Sequence, residues 1–122
     1  MNLHAAWVRR ALIGMIVVHG AIHFMGFVHA FEIADISQMP DAIGRALGVL
    51  WLIAGLGCLA VAAAIVWAPR LWWALAFVAV ILSQVVIVTA WSGAYFGTVA
   101  NAIIAAAAVY SHSTGWPVRR PE

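Results

Sequence analysis

The stretch Leu12-Ile13-Gly14-Met15-Ile16-Val17-Val18-His19-Gly20-Ala21-Ile22-His23-Phe24-Met25-Gly26-Phe27-Val28-His29-Ala30-Phe31 decides how the rest of the chain is read. It carries no Asp, Glu, Lys or Arg, and it has the roughly 20-residue length of a helix that crosses a bilayer. Arg9 and Arg10 precede it, as in a signal peptide, but the apolar run is longer than a typical signal core. Gly26, Phe27, Val28 and His29 also make a poor cleavage site. The stretch therefore reads as a retained transmembrane helix.

The remaining chain agrees with that reading. Of 122 residues, 66% are hydrophobic and 8% charged, against roughly 45–50% and about 25% in soluble domains. The length suits one domain, and the apolar content excludes a disordered chain. The net charge is only +2 and the basic residues flank apolar runs, which excludes nucleic-acid binding. A second span is expected at 46–67, ended by Ala68-Pro69-Arg70 because proline lacks an amide proton. A third is expected at 71–91, followed by a turn over Ser92-Gly93-Ala94-Tyr95. The fourth runs over 96–112 and is stopped by Pro117. The expected fold is all-α: a polytopic membrane protein, one domain over 1–122, built as a four-transmembrane-helix bundle.

Arginine placement orients this bundle. Arg9, Arg10, Arg70, Arg119 and Arg120 fall on one side of four spans and only Arg45 on the other, so both termini are expected in the cytoplasm. Trp7, Trp67, Trp72, Trp73 and Trp116 then mark the cytoplasmic interface, and Trp91 and Tyr95 the outer one. Glu32, Asp35 and Asp41 lie in the first outer loop, with Asp41 expected to cap the second helix. No acid falls inside a span, which argues against an energised carrier. It also separates the chain from small multidrug transporters, whose first helix holds a buried glutamate. The absence of Lys excludes Schiff-base chemistry, and the single Cys58 excludes an intrachain disulfide. Gly44-xxx-Gly48 and Gly97-xxx-Asn101-xxx-Ala105 are packing stripes.

The strongest chemical signal is a histidine stripe. At about 100° per residue, Met15, His19, His23 and His29 share one face of the first helix. Gly26 lies on that face too, leaving a gap that would admit a ring or an ion. By depth, Gln84 and Asn101 fall near the level of His23, so a bundle brings His19, His23, Gln84 and Asn101 together. Three uses compete: hydrogen-bonded glue between helices, a bound cofactor, or a proton relay. As cofactor ligands, His19 and His23 with Met15 would suit copper. Haem takes axial histidine, but the second and third spans hold no histidine and His112 lies near the opposite surface. Quinone binding needs only hydrogen-bond partners from His19 and His23, with Gln84 and Asn101 orienting them.

Two segments carry a resemblance. Residues His19 to Phe27 read HGxxHxxGF, and Trp91 to Asn101 read W-x3-YFGTxAN. With four spans, the chain resembles small uncharacterised bacterial four-helix membrane proteins, some DoxX-like and some labelled "ABC transporter permease". The resemblance implies a multi-pass protein of the bacterial inner membrane in a redox or respiratory setting, and it carries no catalytic residue. Typical ABC permeases are larger and have a coupling-helix motif that is not evident here. Two functions follow as expectations. One is a histidine-lined intramembrane site binding haem, metal or quinone as a redox accessory. The other is a structural or assembly subunit of a homo-oligomer or larger membrane complex.

Overall fold

The computed structural model describes residues 3–39 and 42–117. The order is α1 (Leu3–Ala30), α2 (Arg45–Trp67), α3 (Trp72–Thr89), a single turn α4 (Trp91–Ala94) and α5 (Gly97–Thr114). No strand occurs among the described residues. Three helices are long and apolar enough to cross a membrane: Ala5–Ala30 within α1, Arg45–Trp67 and Trp72–Thr89. α5 is not among them; Asn101, Ser111 and His112 dilute its apolar character.

The element ends differ from the expected ones in informative ways. α1 begins well before residue 12, because a helix continues through Arg9 and Arg10 with no breaker. The expected turn after α3 contains the helical turn α4. α5 ends at Gly115, which adopts φ 73° and so stops the helix before Pro117 is reached. The N-cap position of α2 is Gly44; Asp41 lies outside the described residues, as do Arg119 and Arg120. Trp72 is fully buried against Trp116, so it is a core residue and not an interfacial anchor.

Packing is antiparallel and close. Gly20 faces Cys58 and Gly55, Gly26 faces Trp51, and Gly48 faces Ala30. These pairs run in opposite chain directions, and glycine lets the α1 and α2 backbones approach. α3 packs on α2 and on α5, whereas α1 and α5 touch at few points. The helices thus follow one another around the bundle, with α1 and α3 diagonal and a thin seam between α1 and α5. At the end holding Arg9, Arg10 and Arg70, Arg9 Nη2 donates to the Ile65 carbonyl at 3.0 Å, satisfying a carbonyl of the last α2 turn.

The surface polarity of a water-soluble domain is inverted. Val18, Leu56, Val78, Ile81, Val85 and Val88 are exposed, while His19, His23, Ser83 and Asn101 are buried. Such a surface is stable against hydrocarbon, where the polar groups must find partners inside.

Candidate functional site

Halfway along α1, His19 and His23 turn inward, 5% and 1% exposed. They stand one helical turn apart with ring centroids 4.6 Å apart and planes at 81°. Ser83, projecting from the diagonal helix α3, reaches both. Its Oγ lies 2.9 Å from His23 Nε2, 3.2 Å from His19 Nε2 and 3.0 Å from Asn101 Oδ1. Asn101 of α5 closes the cluster, with Oδ1 3.0 Å from His19 Nε2. His23 Nδ1 donates to the His19 carbonyl at 2.8 Å. This helix-internal bond fixes the ring and leaves Nε2 for Ser83.

The cluster extends toward the N-terminus of α5. Asn101 Nδ2 donates to Gln84 Oε1 at 3.0 Å, and Gln84 Nε2 donates to Thr98 Oγ1 at 3.1 Å. One chain of hydrogen bonds therefore joins α1, α3 and α5. Gln84 enters it through Asn101 and not by touching a histidine. Gly97 allows the approach of α5: a Cβ there would stand 3.3 Å from His19 Cε1.

Beside the cluster is a cavity of about 520 Å³, lined by His19 and His23 together with Met15, Ile22, Trp51 and Phe96. Its walls are almost wholly apolar. Val18, Ile22 and Phe96 belong both to its lining and to the exposed surface, so it opens between α1 and α5. The loop between α1 and α2 roofs it through Gln38 and Met39, with the Gln38 carbonyl pressed onto Gly93.

Gly26 does not hold an open gap. The Trp51 indole fills it; a Cβ on Gly26 would lie 2.2 Å from Trp51 Cδ2. That indole also packs against His23 at 5.3 Å and buries an Nε1–H with no hydrogen-bond partner among the described residues. Met15 lines the cavity, but it stands eight residues from His23, about 12 Å along the helix axis. Met15, His19 and His23 therefore do not converge on one ion. No group of three or more His, Cys, Asp or Glu side chains suited to a metal occurs among the described residues. His29, in the last turn of α1, faces the loop that follows, its Nδ1 accepting from the Ile36 amide at 3.2 Å and lying 3.8 Å from Asp35. His112 packs against Trp73, its ring tilted by 50°, at the other end.

Ser83, Trp51 and Thr98 were not marked by the sequence. A lone serine in an apolar helix is ordinary, and its importance comes from lying diagonal to the histidines. Trp51 could have been found only by pairing Gly26 with a large residue on an antiparallel neighbour. Comparison of the chain with protein-family models, curated proteins and solved structures returns no match.

Proposed function

We propose that this chain is a membrane-embedded binding module for a lipophilic ligand with a small polar head. His19 is its anchor. The observation that carries the reading is the pairing of an apolar cavity, open on the hydrocarbon-facing side, with one imidazole nitrogen left over. Three of the four ring nitrogens of His19 and His23 are engaged inside the bundle. His19 Nδ1 has no hydrogen-bond partner among the described residues. One nitrogen falls short of the donor set that copper takes, and a second axial histidine for haem is not at hand. A quinone-class head needs only a single well-placed hydrogen bond, and its tail suits apolar walls.

In this reading α5 is the fourth span and both termini are cytoplasmic. The protein sits in a bacterial inner membrane as a redox accessory, the setting implied by its resemblance to DoxX-like proteins. Cysteines placed at Ser37 and Ser113 in a Cys58→Ala background test the topology. Ser37 is expected to label from outside intact cells; labelling of Ser113 instead reverses the orientation.

The binding reading is tested by mild-detergent purification, solvent extraction and mass spectrometry. A lipophile stoichiometric with wild type, and lost when Ala100→Phe fills the cavity, is expected. A Soret band or stoichiometric metal overturns it in favour of haem or copper. An intact preparation free of any ligand favours an assembly subunit of a larger complex, in which the same hydrogen bonds only hold helices together.

A further inference from the structure

We infer that the ligand presents a hydroxyl hydrogen to His19, so that the site selects a phenol- or alcohol-type head over a carbonyl or ether. This rests on the binding reading above and specifies its substrate class. The argument is a count of protons. His23 Nδ1 faces a carbonyl and must carry hydrogen. In the neutral ring, Nε2 is then a lone pair, and among the described residues Ser83 is its donor. Asn101 points its Nδ2 hydrogens at Gln84, whose own amide hydrogens face Thr98. In this orientation of the two amides, Asn101 Oδ1 stands 3.0 Å from His19 Nε2.

An amide oxygen only accepts, so His19 Nε2 must carry hydrogen. The opposite tautomer would set two lone pairs face to face at that distance. If Ser83 turned its hydrogen to His19 instead, the lone pairs of Ser83 Oγ and His23 Nε2 would collide at 2.9 Å. If it turned to Asn101, His23 would have to be a cation, and His19 Nε2 would still donate. With the two amides oriented as the structure has them, neutral His19 is left with a bare lone pair at Nδ1. Turning both amides over, with Thr98 donating to Gln84, would put hydrogen on Nδ1 instead, and nitrogen-15 spectra separate the two. Its ring lines the cavity, and a lone pair there binds a donor. A hydroquinone meets this requirement; the corresponding quinone, with acceptors alone, does not.

The test uses a matched pair of probes, 4-nonylphenol and 4-nonylanisole, which differ only in the hydroxyl hydrogen. Their binding to the full chain in lipid nanodiscs is measured by calorimetry and by tryptophan fluorescence. The phenol is expected to bind about tenfold more tightly, the value of one net hydrogen bond. His19→Gln keeps an N–H donor toward Asn101 and removes the Nδ1 lone pair; both probes should still bind, with their ratio falling to about one. Equal affinities in wild type overturn the hydroxyl inference and leave the binding reading standing. Binding of neither probe overturns both. A ratio unchanged in His19→Gln assigns the hydroxyl to another group and overturns the role of His19. Nitrogen-15 spectra of histidine-labelled wild type give a check that needs no variant: hydrogen on His19 Nε2 is expected, and hydrogen on Nδ1 defeats the inference.

Discussion

The two halves of the bundle are held together by different physics. Toward the arginine-bearing end, Ile16, Cys58, Ile65, Trp72, Ala76, Ile104 and Ala108 form one apolar cluster. Its cohesion is shape fit alone, since hydrocarbon outside is as apolar as the side chains inside. Toward the other end, His19, His23, Ser83 and Asn101 meet in hydrogen bonds, Trp51 closes the cluster from α2, and a second apolar cluster that includes Ala30, Ile43, Ala54, Val86 and Ala90 lies beyond them. The first half uses interchangeable volumes. The second uses directional partners, each of which strands another when lost. A buried polar group in lipid has no water to fall back on, so the polar half should tolerate far less change.

The largest effect is expected where the polar half also packs most tightly. Gly26→Val places a branched side chain inside the space of the Trp51 indole, whose ring is 2.2 Å from where a Cβ would begin. Overpacking of this kind costs about 1–3 kcal/mol and sometimes more, and we expect the upper end. Unfolding in mixed micelles of increasing SDS content, followed by circular dichroism, measures it. Adding Trp51→Leu should recover much of the loss. A Gly26→Val variant as stable as wild type would show that the indole is free to leave, and the contrast between the halves would weaken.

A sharper comparison lies on one face of α5. Asn101 and Ile104 are one turn apart and both buried, yet Asn101 belongs to the polar half and Ile104 to the apolar one. Asn101→Leu removes one of the two partners of His19 Nε2, leaving Ser83, and strips Gln84 Oε1 of its donor; it should cost about 2 kcal/mol. Ile104→Leu keeps volume and should cost less than about 1.5 kcal/mol. The same SDS titration reads both. Equal losses would mean that packing, and not hydrogen bonding, sets stability in both halves.

That contrast also separates what was legible in the sequence from what was not. The all-helical character and the long apolar helices could be read because apolar runs and the break at Pro69 are local signals. The inward turn of His19 and His23, and the gathering of Asn101 with them, followed from the cost of an unpartnered polar group in hydrocarbon. The meeting of Gln84 with Asn101 followed too, but its further bond to Thr98 did not, since Thr98 was unmarked. Gly26 read as an opening because one helix shows only its own missing side chain. The indole that fills it comes from α2, and the relative register of two helices is not a local property. Trp72 was misplaced for a related reason: sequence position near a helix end looks interfacial, while the turn of the helix directs the ring inward.

The smallest effect is expected at the periphery of the hydrogen-bond chain. Thr98 accepts from Gln84 Nε2 at 3.1 Å and touches neither histidine in the network. Thr98→Val preserves shape and removes that acceptor. Gln84 is only partly buried, so its freed N–H can find other partners. Single interhelical hydrogen bonds in membrane proteins contribute about 0.6 kcal/mol on average, and the loss should be of that size. A double-mutant cycle with Gln84→Leu isolates the pair: the two changes together should cost less than their sum by about the same amount. The Asn101–Gln84 bond should remain in the Thr98 variant, so binding of 4-nonylphenol should be unchanged within about twofold, far below the tenfold weight of a whole hydrogen bond. A marked loss of binding in Thr98→Val would mean that orientation of the Gln84 amide is transmitted through Asn101 to His19. The polar half would then act as one cooperative unit, not as a graded chain weakening toward its end.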